Sequence, residues 1–238
     1  MNDVYCCDNL KLLKNLSDEC INLIYCDILY GTGRKNKNYI DLKCDWTIIE
    51  SFYKPRIEQM FRVLKLTGSM YLQMDWRISH WIRIILDEIF GRENFRNNLI
   101  WSYGAGDVNA KNRFRRCHDD ILFYAKSKNN VFNIERNEKG IKAKDYFYMP
   151  SFSQKIYQKK YFKLQDDYII FYYSQKPQSV IKKIILASSN ENDLVADFFC
   201  GSGTTGVVCK KLNRRYLLCD NNEIAINITK ERLKERTK

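Results

Sequence analysis

The stretch Asp197-Phe198-Phe199-Cys200-Gly201-Ser202-Gly203-Thr204-Thr205-Gly206 constrains the fold of this chain more than any other. It follows an apolar run, Leu194–Phe198, that reads as a buried strand, and it opens a helical pattern over Thr205–Leu212. Glycines in a strand-to-helix turn let the backbone bend sharply and approach a ligand closely. The N-terminus of the following helix presents N–H groups with no partner in the helix. This context belongs to a doubly wound α/β sheet that binds a nucleotide or nucleoside at its carboxyl edge. Asp220 ends the next strand, Tyr216–Cys219, where a carboxylate can take both hydroxyls of a ribose. On Gly201, Gly203, Gly206 and Asp220 alone, a nicotinamide or flavin dinucleotide fits equally well.

Two features turn the reading away from a dinucleotide. A carboxylate at Asp197, directly before the loop, repels a pyrophosphate but suits a cationic amino acid group such as that of S-adenosylmethionine. Little chain follows Asp220 before Lys238 from which to build the second half of a dinucleotide fold. The expected cofactor is therefore nucleoside-like and free of phosphate.

The remaining pattern agrees with such a sheet. Strands are expected at Val4–Cys7, Ile21–Cys26, Ser69–Met74, Asn98–Trp101 and Asp120–Ala125. Helices are expected at Asn9–Leu16, Ile48–Leu64, Trp76–Phe90, Gln178–Ser188 and Glu223–Arg236. Leu66-Thr67-Gly68 reads as a break before the third strand, and Gly91 as the end of a helix. The α/β alternation lapses from about Ser127 to Asp167. The prediction is one α/β domain over 1–238, doubly wound and largely parallel, with a small insertion at roughly 103–170.

A net charge of +12 points toward a polyanion, nucleic acid above all. No apolar run approaches a membrane span, and Met1-Asn2-Asp3-Val4-Tyr5 carries no basic-then-apolar leader, so a cytoplasmic protein with no membrane partner is expected. The nine cysteines read as reduced thiols, several within apolar runs. With two histidines and no CxxC pair, no metal site is expected.

Near the other end, strand Ile21–Cys26 runs into Asp27-Ile28-Leu29-Tyr30-Gly31-Thr32-Gly33-Arg34. With this element in place, the chain resembles the amino-methylating DNA methyltransferases in which the catalytic motif comes first and the cofactor glycine loop last. Their usual motif is Asp-Pro-Pro-Tyr, commonly followed by Gly-Thr-Gly-Arg. Further matching stretches are Cys7-Asp8, Leu66–Trp76, Asp87–Trp101, His118–Lys126, Gln175-Lys176-Pro177 and Asn192–Asp220. The resemblance covers nearly the whole chain except about 130–170. It implies a Rossmann-like, circularly permuted methyltransferase sheet with a target-recognition insertion, S-adenosylmethionine as cofactor and double-stranded DNA as partner. It also admits a homodimer and a cognate restriction endonuclease.

By the same resemblance, Asp27 and the main-chain carbonyl of Ile28 would accept hydrogen bonds from the target amino group, and Leu29 completes the motif. Localising the nitrogen lone pair in this way favours direct transfer of the methyl group. Tyr30 would stack on a base extruded from the duplex. An Asp at the first motif position resembles the adenine-N6 form, whereas Ser is commoner in the cytosine-N4 form, and an N4-cytosine methyltransferase is the alternative enzyme. Here both family prolines are replaced, which removes a fixed φ worth ~0.4–1 kcal/mol per site and adds backbone N–H groups that could misplace Tyr30. A catalytically silent DNA-binding subunit is the reading that this departure opens.

For the cofactor, the resemblance implies Asp8, Asn9, Ser174, Gln175, Lys176, Asp197, Phe199, Cys200, Gly201, Ser202, Gly203, Thr204, Asp220 and Asn221. For DNA it implies Arg34, Lys111, Arg113, Arg115, Arg116 and His118, the last in recognition rather than catalysis. Lysines and aromatics also interleave from Lys139 to Lys163, inside the recognition insertion.

Overall fold

The computed structural model describes residues 2–35, 40–103, 109–133, 143–148 and 176–234. Among the described residues, eight strands form one mixed sheet: β1 (Asn2–Cys6), β2 (Ile21–Asp27), β3 (Leu64–Met74), β4 (Phe95–Ser102), β5 (His118–Ala125), β6 (Tyr146–Tyr148), β7 (Leu194–Asp197) and β8 (Arg215–Asp220). Among the described residues the α-helices are α1 (Asn9–Lys14), α2 (Trp46–Val63), α3 (Ser79–Phe90), α4 (Gln178–Ser188), α5 (Thr204–Lys211) and α6 (Glu223–Lys234). The spatial order is β1-β8-β7-β2-β3-β5-β4-β6. The run β1-β8-β7-β2-β3 is parallel, β5 is antiparallel to both β3 and β4, and β6 lies parallel to β4.

This order brings together elements far apart in sequence. Strands β2 and β7 are direct neighbours, with Leu23 opposite Val195 and Ile24 opposite Ala196. The Asp27 motif and the Asp197 glycine loop thus emerge side by side at one sheet edge. Asp8 after β1, Asp220 at the end of β8 and Asp119 at the start of β5 share that edge, because β5 runs against its neighbour β3.

Alternation along β2 divides the core into two layers, as strands covered on both faces require. Ile24 and Cys26 pack with Leu13 of α1, Ile49, Tyr53 and Ile57 of α2, and Ile82 of α3. Leu23 and Tyr25 pack on the opposite face with Ile181 and Ile184 of α4 and Val208 of α5. Helix α6 closes a smaller cluster through Ile226, Leu218 and Cys200.

Where boundaries differ from expectation, side-chain chemistry accounts for it. Asp45 caps α2, its carboxylate accepting the Ile48 N–H at 3.2 Å, so the helix begins ahead of Ile48. The expected break at Leu66-Thr67-Gly68 is instead an irregularity within β3. Pairing with β2 jumps from Ile21 opposite Leu64 to Leu23 opposite Ser69, so the extra residues bulge without ending the strand. Helix α3 starts at Ser79 rather than Trp76 because the Asp75 carboxylate accepts the Arg77 N–H at 2.9 Å and holds a turn there. Strand β5 falls inside the 103–170 range expected for the insertion, yet pairs within the central sheet.

Candidate active site

The glycine loop is built by its own backbone and two buried supports. Gly203 has φ +73°, and a Cβ there would stand 2.4 Å from Thr229 Cγ2, so helix α6 leaves room only for glycine. Thr229 donates its hydroxyl to the Gly201 carbonyl at 2.9 Å. Arg232, also on α6 and buried, donates to the Ser202 carbonyl, to Ser202 Oγ at 3.0 Å and to Thr204 Oγ1 at 3.1 Å. On the opposite side, Asp220 accepts the Gly201 N–H at 2.9 Å and the Asn222 N–H at 2.9 Å. Burial raises the Asp220 carboxyl above its ordinary range.

Asp197 is buried at the end of β7 and accepts the Phe199 N–H at 3.1 Å and the Thr205 hydroxyl at 2.5 Å. Burial, with lesser contributions from the charges of Asp27 and Asp220, pushes its carboxyl up to about 7. A carboxylate in that position is stabilised by any cation brought beside it.

Asp8 and Asn9 enter from the β1–α1 junction. Asp8 Oδ1 accepts the Leu10 N–H at 2.9 Å, capping α1, while Oδ2 pairs with Arg56 Nη2 at 2.7 Å. Asn9 donates to the Phe198 carbonyl at 2.8 Å and accepts from Arg56 Nε at 2.7 Å. Buried Arg56 stacks on the Phe52 ring, with 3.8 Å to its centroid. It therefore ties α2 to the strand end beside the glycine loop.

At the end of β2, the chain accommodates the two missing prolines. The Ile28 N–H, absent from a proline, donates to the Gln73 carbonyl at 3.1 Å and extends the β2–β3 pairing by one residue. The Ile28 side chain is buried in the core, and the Leu29 carbonyl accepts the Tyr53 hydroxyl at 2.9 Å. Asp41 then organises the Gly-Thr-Gly turn. Its carboxylate accepts the N–H groups of Gly31 at 3.1 Å and Thr32 at 2.9 Å and the Thr32 hydroxyl at 2.5 Å.

Asp27 and Tyr30 lie within a polar network. The Tyr30 hydroxyl stands 2.8 Å from Asp27 Oδ1 and 2.7 Å from Asp119 Oδ2. Lys176 Nζ reaches Asp27 Oδ2 at 2.7 Å and lies 5.2 Å from the Tyr30 ring centroid. Gln73 donates to Asp119 at 3.0 Å and accepts from the Tyr25 hydroxyl at 2.7 Å. Burial pushes the Asp119 carboxyl up to about 6 against the pull of Lys176 and the hydrogen bond it accepts from Tyr30.

These parts enclose a cavity of about 210 Å³. Of the residues expected around cofactor and target, Asp8, Asn9, Asp27, Ile28, Leu29, Tyr30, Lys176, Asp197, Phe199, Cys200, Gly201, Ser202, Thr204, Asp220 and Asn221 line it. Gly203 stands behind the loop against Thr229. Ser174 and Gln175 lie outside the described residues, as does most of the lysine–aromatic stretch from Lys139 to Lys163. The DNA set falls elsewhere: Arg34, Lys111, Arg113, Arg115 and His118 are exposed, and Arg116 covers the Trp76 ring at 3.5 Å. Arg56, Asp41, Gln73, Asp119, Thr205 and Arg232 also build the site, with no role foreseen for them from sequence. Arg56 alone left a signal, a cation set between Phe52, Tyr53, Ile57 and Met60 on the apolar face of α2.

The cavity is acidic, with Asp27, Asp197 and Asp220 among its lining groups, and its main basic groups are Arg56 and Lys176. Such a donor set fits a nucleoside bearing a cationic amino acid and does not fit a pyrophosphate. Fold and cavity together define a doubly wound α/β protein with a nucleoside-type ligand site at the carboxyl edge of its sheet. The N6/N4 family model described as DNA methylase matches residues 21–231, and the chain belongs to that family. The chain is 33% identical over 241 residues to type II methyltransferase M.HpaI of Haemophilus parainfluenzae, covering 96% of this chain and 73% of that one. DNA adenine methyltransferase YhdJ of Escherichia coli (strain K12) is 30% identical over 240 residues, covering 95% and 80%. Among solved structures, the cytosine-N4-specific PvuII DNA methyltransferase aligns with a TM-score of 0.77 at 18% identity, covering 98% of this chain and 86% of that one. The M1.HpyAVI–SAM complex aligns with a TM-score of 0.66 at 23% identity, covering 98% and 100%. At these identities the structural likeness is one of fold.

Proposed function

We propose that this protein is a site-specific DNA methyltransferase that modifies the exocyclic N6 of adenine in double-stranded DNA. The observation that carries the reading is the placement of Asp27 and Tyr30 beside the Asp197 glycine loop, across one cavity at the carboxyl edge of adjacent strands. S-adenosylmethionine is the cofactor, and it supplies a methyl group on a cationic sulfur. Asp197 and Asp220 meet the demands of its cationic and ribose parts, and Phe199 offers an aromatic edge in the same cavity.

On the target side, Asp27 accepts a hydrogen bond from the amino group and the Ile28 carbonyl accepts a second, which concentrates the nitrogen lone pair. Lys176, which pairs with Asp27 at 2.7 Å, yields that oxygen to the amino group. Tyr30 provides the stacking surface for the extruded base. The replaced prolines do not argue for a silent subunit, because the gained Ile28 N–H is used within the sheet. Asp at the first motif position and the 30% identity to an adenine methyltransferase favour adenine over cytosine. The type II relatives favour a place beside a restriction endonuclease. Among the described residues no helix is long and apolar enough to cross a membrane.

Nucleoside mass spectrometry of plasmid DNA incubated with protein and S-adenosylmethionine tests the reading. N6-methyladenine is the expected product. N4-methylcytosine would keep the chemistry and overturn the base, and no modified base with cofactor binding intact would support the silent subunit.

A further inference from the structure

We propose that Asp119 is the positioning residue for Tyr30, anchoring its hydroxyl so that the ring stands in a fixed plane as the platform for the extruded base. The inference rests on the reading of Asp27 and Tyr30 as the transfer site.

Four observations lead to it. Asp119 Oδ2 lies 2.7 Å from the Tyr30 hydroxyl, which Asp27 also engages at 2.8 Å, so the phenol is gripped at its far end by two carboxyl groups. Asp119 does not belong to the Asp27 motif and comes from a strand two places across the sheet from β2. Its own position is fixed: strand pairing sets it opposite Trp101, and Gln73 donates to it at 3.0 Å. Gln73 is in turn held by the buried Tyr25 hydroxyl at 2.7 Å, so Tyr25, Gln73, Asp119 and Tyr30 form one chain of hydrogen bonds.

The fourth observation is the pattern of β5. Ile121 and Phe123 put apolar side chains into the layer under α4, and two-residue alternation puts residue 119 on the same face. A carboxyl group takes that place and is only 5% exposed. Burying a carboxyl there is unfavourable unless its partners compensate, and those partners are the Tyr30 hydroxyl and Gln73. A phenol anchored at both its Cβ and its hydroxyl has little torsional freedom left, which prepays the orientation that stacking on a base requires. Asp119 touches neither the reacting nitrogen nor the methyl group, and acts through Tyr30.

The test is a double-mutant cycle in methyl transfer to plasmid DNA from a methylation-free host, using labelled S-adenosylmethionine. Asp119→Ser, too short to reach the phenol, is expected to lower kcat about tenfold while KM for S-adenosylmethionine stays within about twofold. Asp119→Asn, whose amide oxygen can still accept the phenol proton, is expected to recover kcat to within about threefold of the wild type. In a Tyr30→Phe background, with no hydroxyl to anchor, Asp119→Ser is expected to change kcat by less than about twofold. Equal losses in both backgrounds would overturn the proposal, as would an Asp119→Asn protein no better than Asp119→Ser. If Asp119→Ser fails to melt cooperatively, Gln73→Met replaces it, removing the donor that holds Asp119. Its loss must likewise vanish with Tyr30→Phe, or the proposal fails. Asp27→Ala separates the two levels. If it retains full transfer, the reading of the site fails. If it is inactive while the cycle is additive, only the role of Asp119 fails.

Discussion

Asp197→Asn gives the most quantitative handle on the cofactor side of the site. The folded protein holds the Asp197 carboxyl at about 7, and an unfolded chain returns it to its ordinary 3.8. Between those values the folded state keeps a proton that the unfolded state releases. Stability from this group is therefore fully present at low pH and declines as pH rises toward 7. The slope is about 1.4 kcal/mol per pH unit, or roughly 3 kcal/mol between pH 5 and 7 as an upper figure. The asparagine variant keeps the side-chain shape and an acceptor for the Phe199 N–H but has no such slope. At about 2–4 °C per kcal/mol for a chain of this size, the melting temperature of the wild type should fall relative to the variant by on the order of 5–10 °C across that window. Thermal melts from pH 5 to 8 without ligand measure it. A bound cation beside Asp197 favours its ionised form, so S-adenosylmethionine affinity of the wild type should climb from pH 5.5 to 7.5, and that of the variant should stay flat. Parallel melting curves for the two proteins would show that the folded state holds no extra proton at Asp197, and would refute the reasoning.

Three further outcomes follow from other contacts. Gly203→Ala must place a Cβ against Thr229 with φ at +73°, a backbone penalty of about 1–2 kcal/mol before the clash is counted. A tenfold or greater loss of S-adenosylmethionine affinity by calorimetry is expected, and an unchanged affinity would contradict the packing. Ile28→Pro, which restores the usual family residue, removes the donor to the Gln73 carbonyl and is expected to cost about 1–3 kcal/mol in melts and to slow transfer. A faster variant would show that the Ile28 N–H is not structural. Replacing Arg113 and Arg115 together by alanine should reduce the slope of log affinity against log salt by about 1.8 if each meets one phosphate. An unchanged slope would remove the exposed basic loop from the DNA interface.

The sequence was most informative where periodicity and punctuation coincide. Helix α4 spans Gln178–Ser188 as expected, because Val180, Ile181, Ile184 and Ile185 recur at helical spacing directly after Pro177. The glycine loop was legible because a buried strand precedes it and a helix follows it. The adjacency of β2 and β7 was not legible from spacing, since a permuted sheet leaves no local mark, and only the family resemblance pointed to it. Asp8 was expected to face the cofactor. It lines the cavity, but its two oxygens are committed to the α1 N-terminus and Arg56. The loss of the prolines at 28 and 29 suggested disturbance, because strand pairing that could use the Ile28 N–H depends on a partner, Gln73, known only from the sheet. Asp119 escaped assignment for the same reason, since its relation to Tyr30 exists only through the β3–β5 register.

In the proposed mechanism one cavity joins a cofactor half, built on the Asp197 loop, to a transfer half, built on Asp27. Calorimetric S-adenosylmethionine binding and methyl transfer to plasmid DNA, measured on the same preparations of wild type and Asp27→Ala, test it most directly. The account requires transfer to fall at least a hundredfold in the variant while cofactor affinity stays within about threefold, the division expected of a group that acts in the transition state. Transfer retained in Asp27→Ala, or lost only in proportion to cofactor binding, would contradict it.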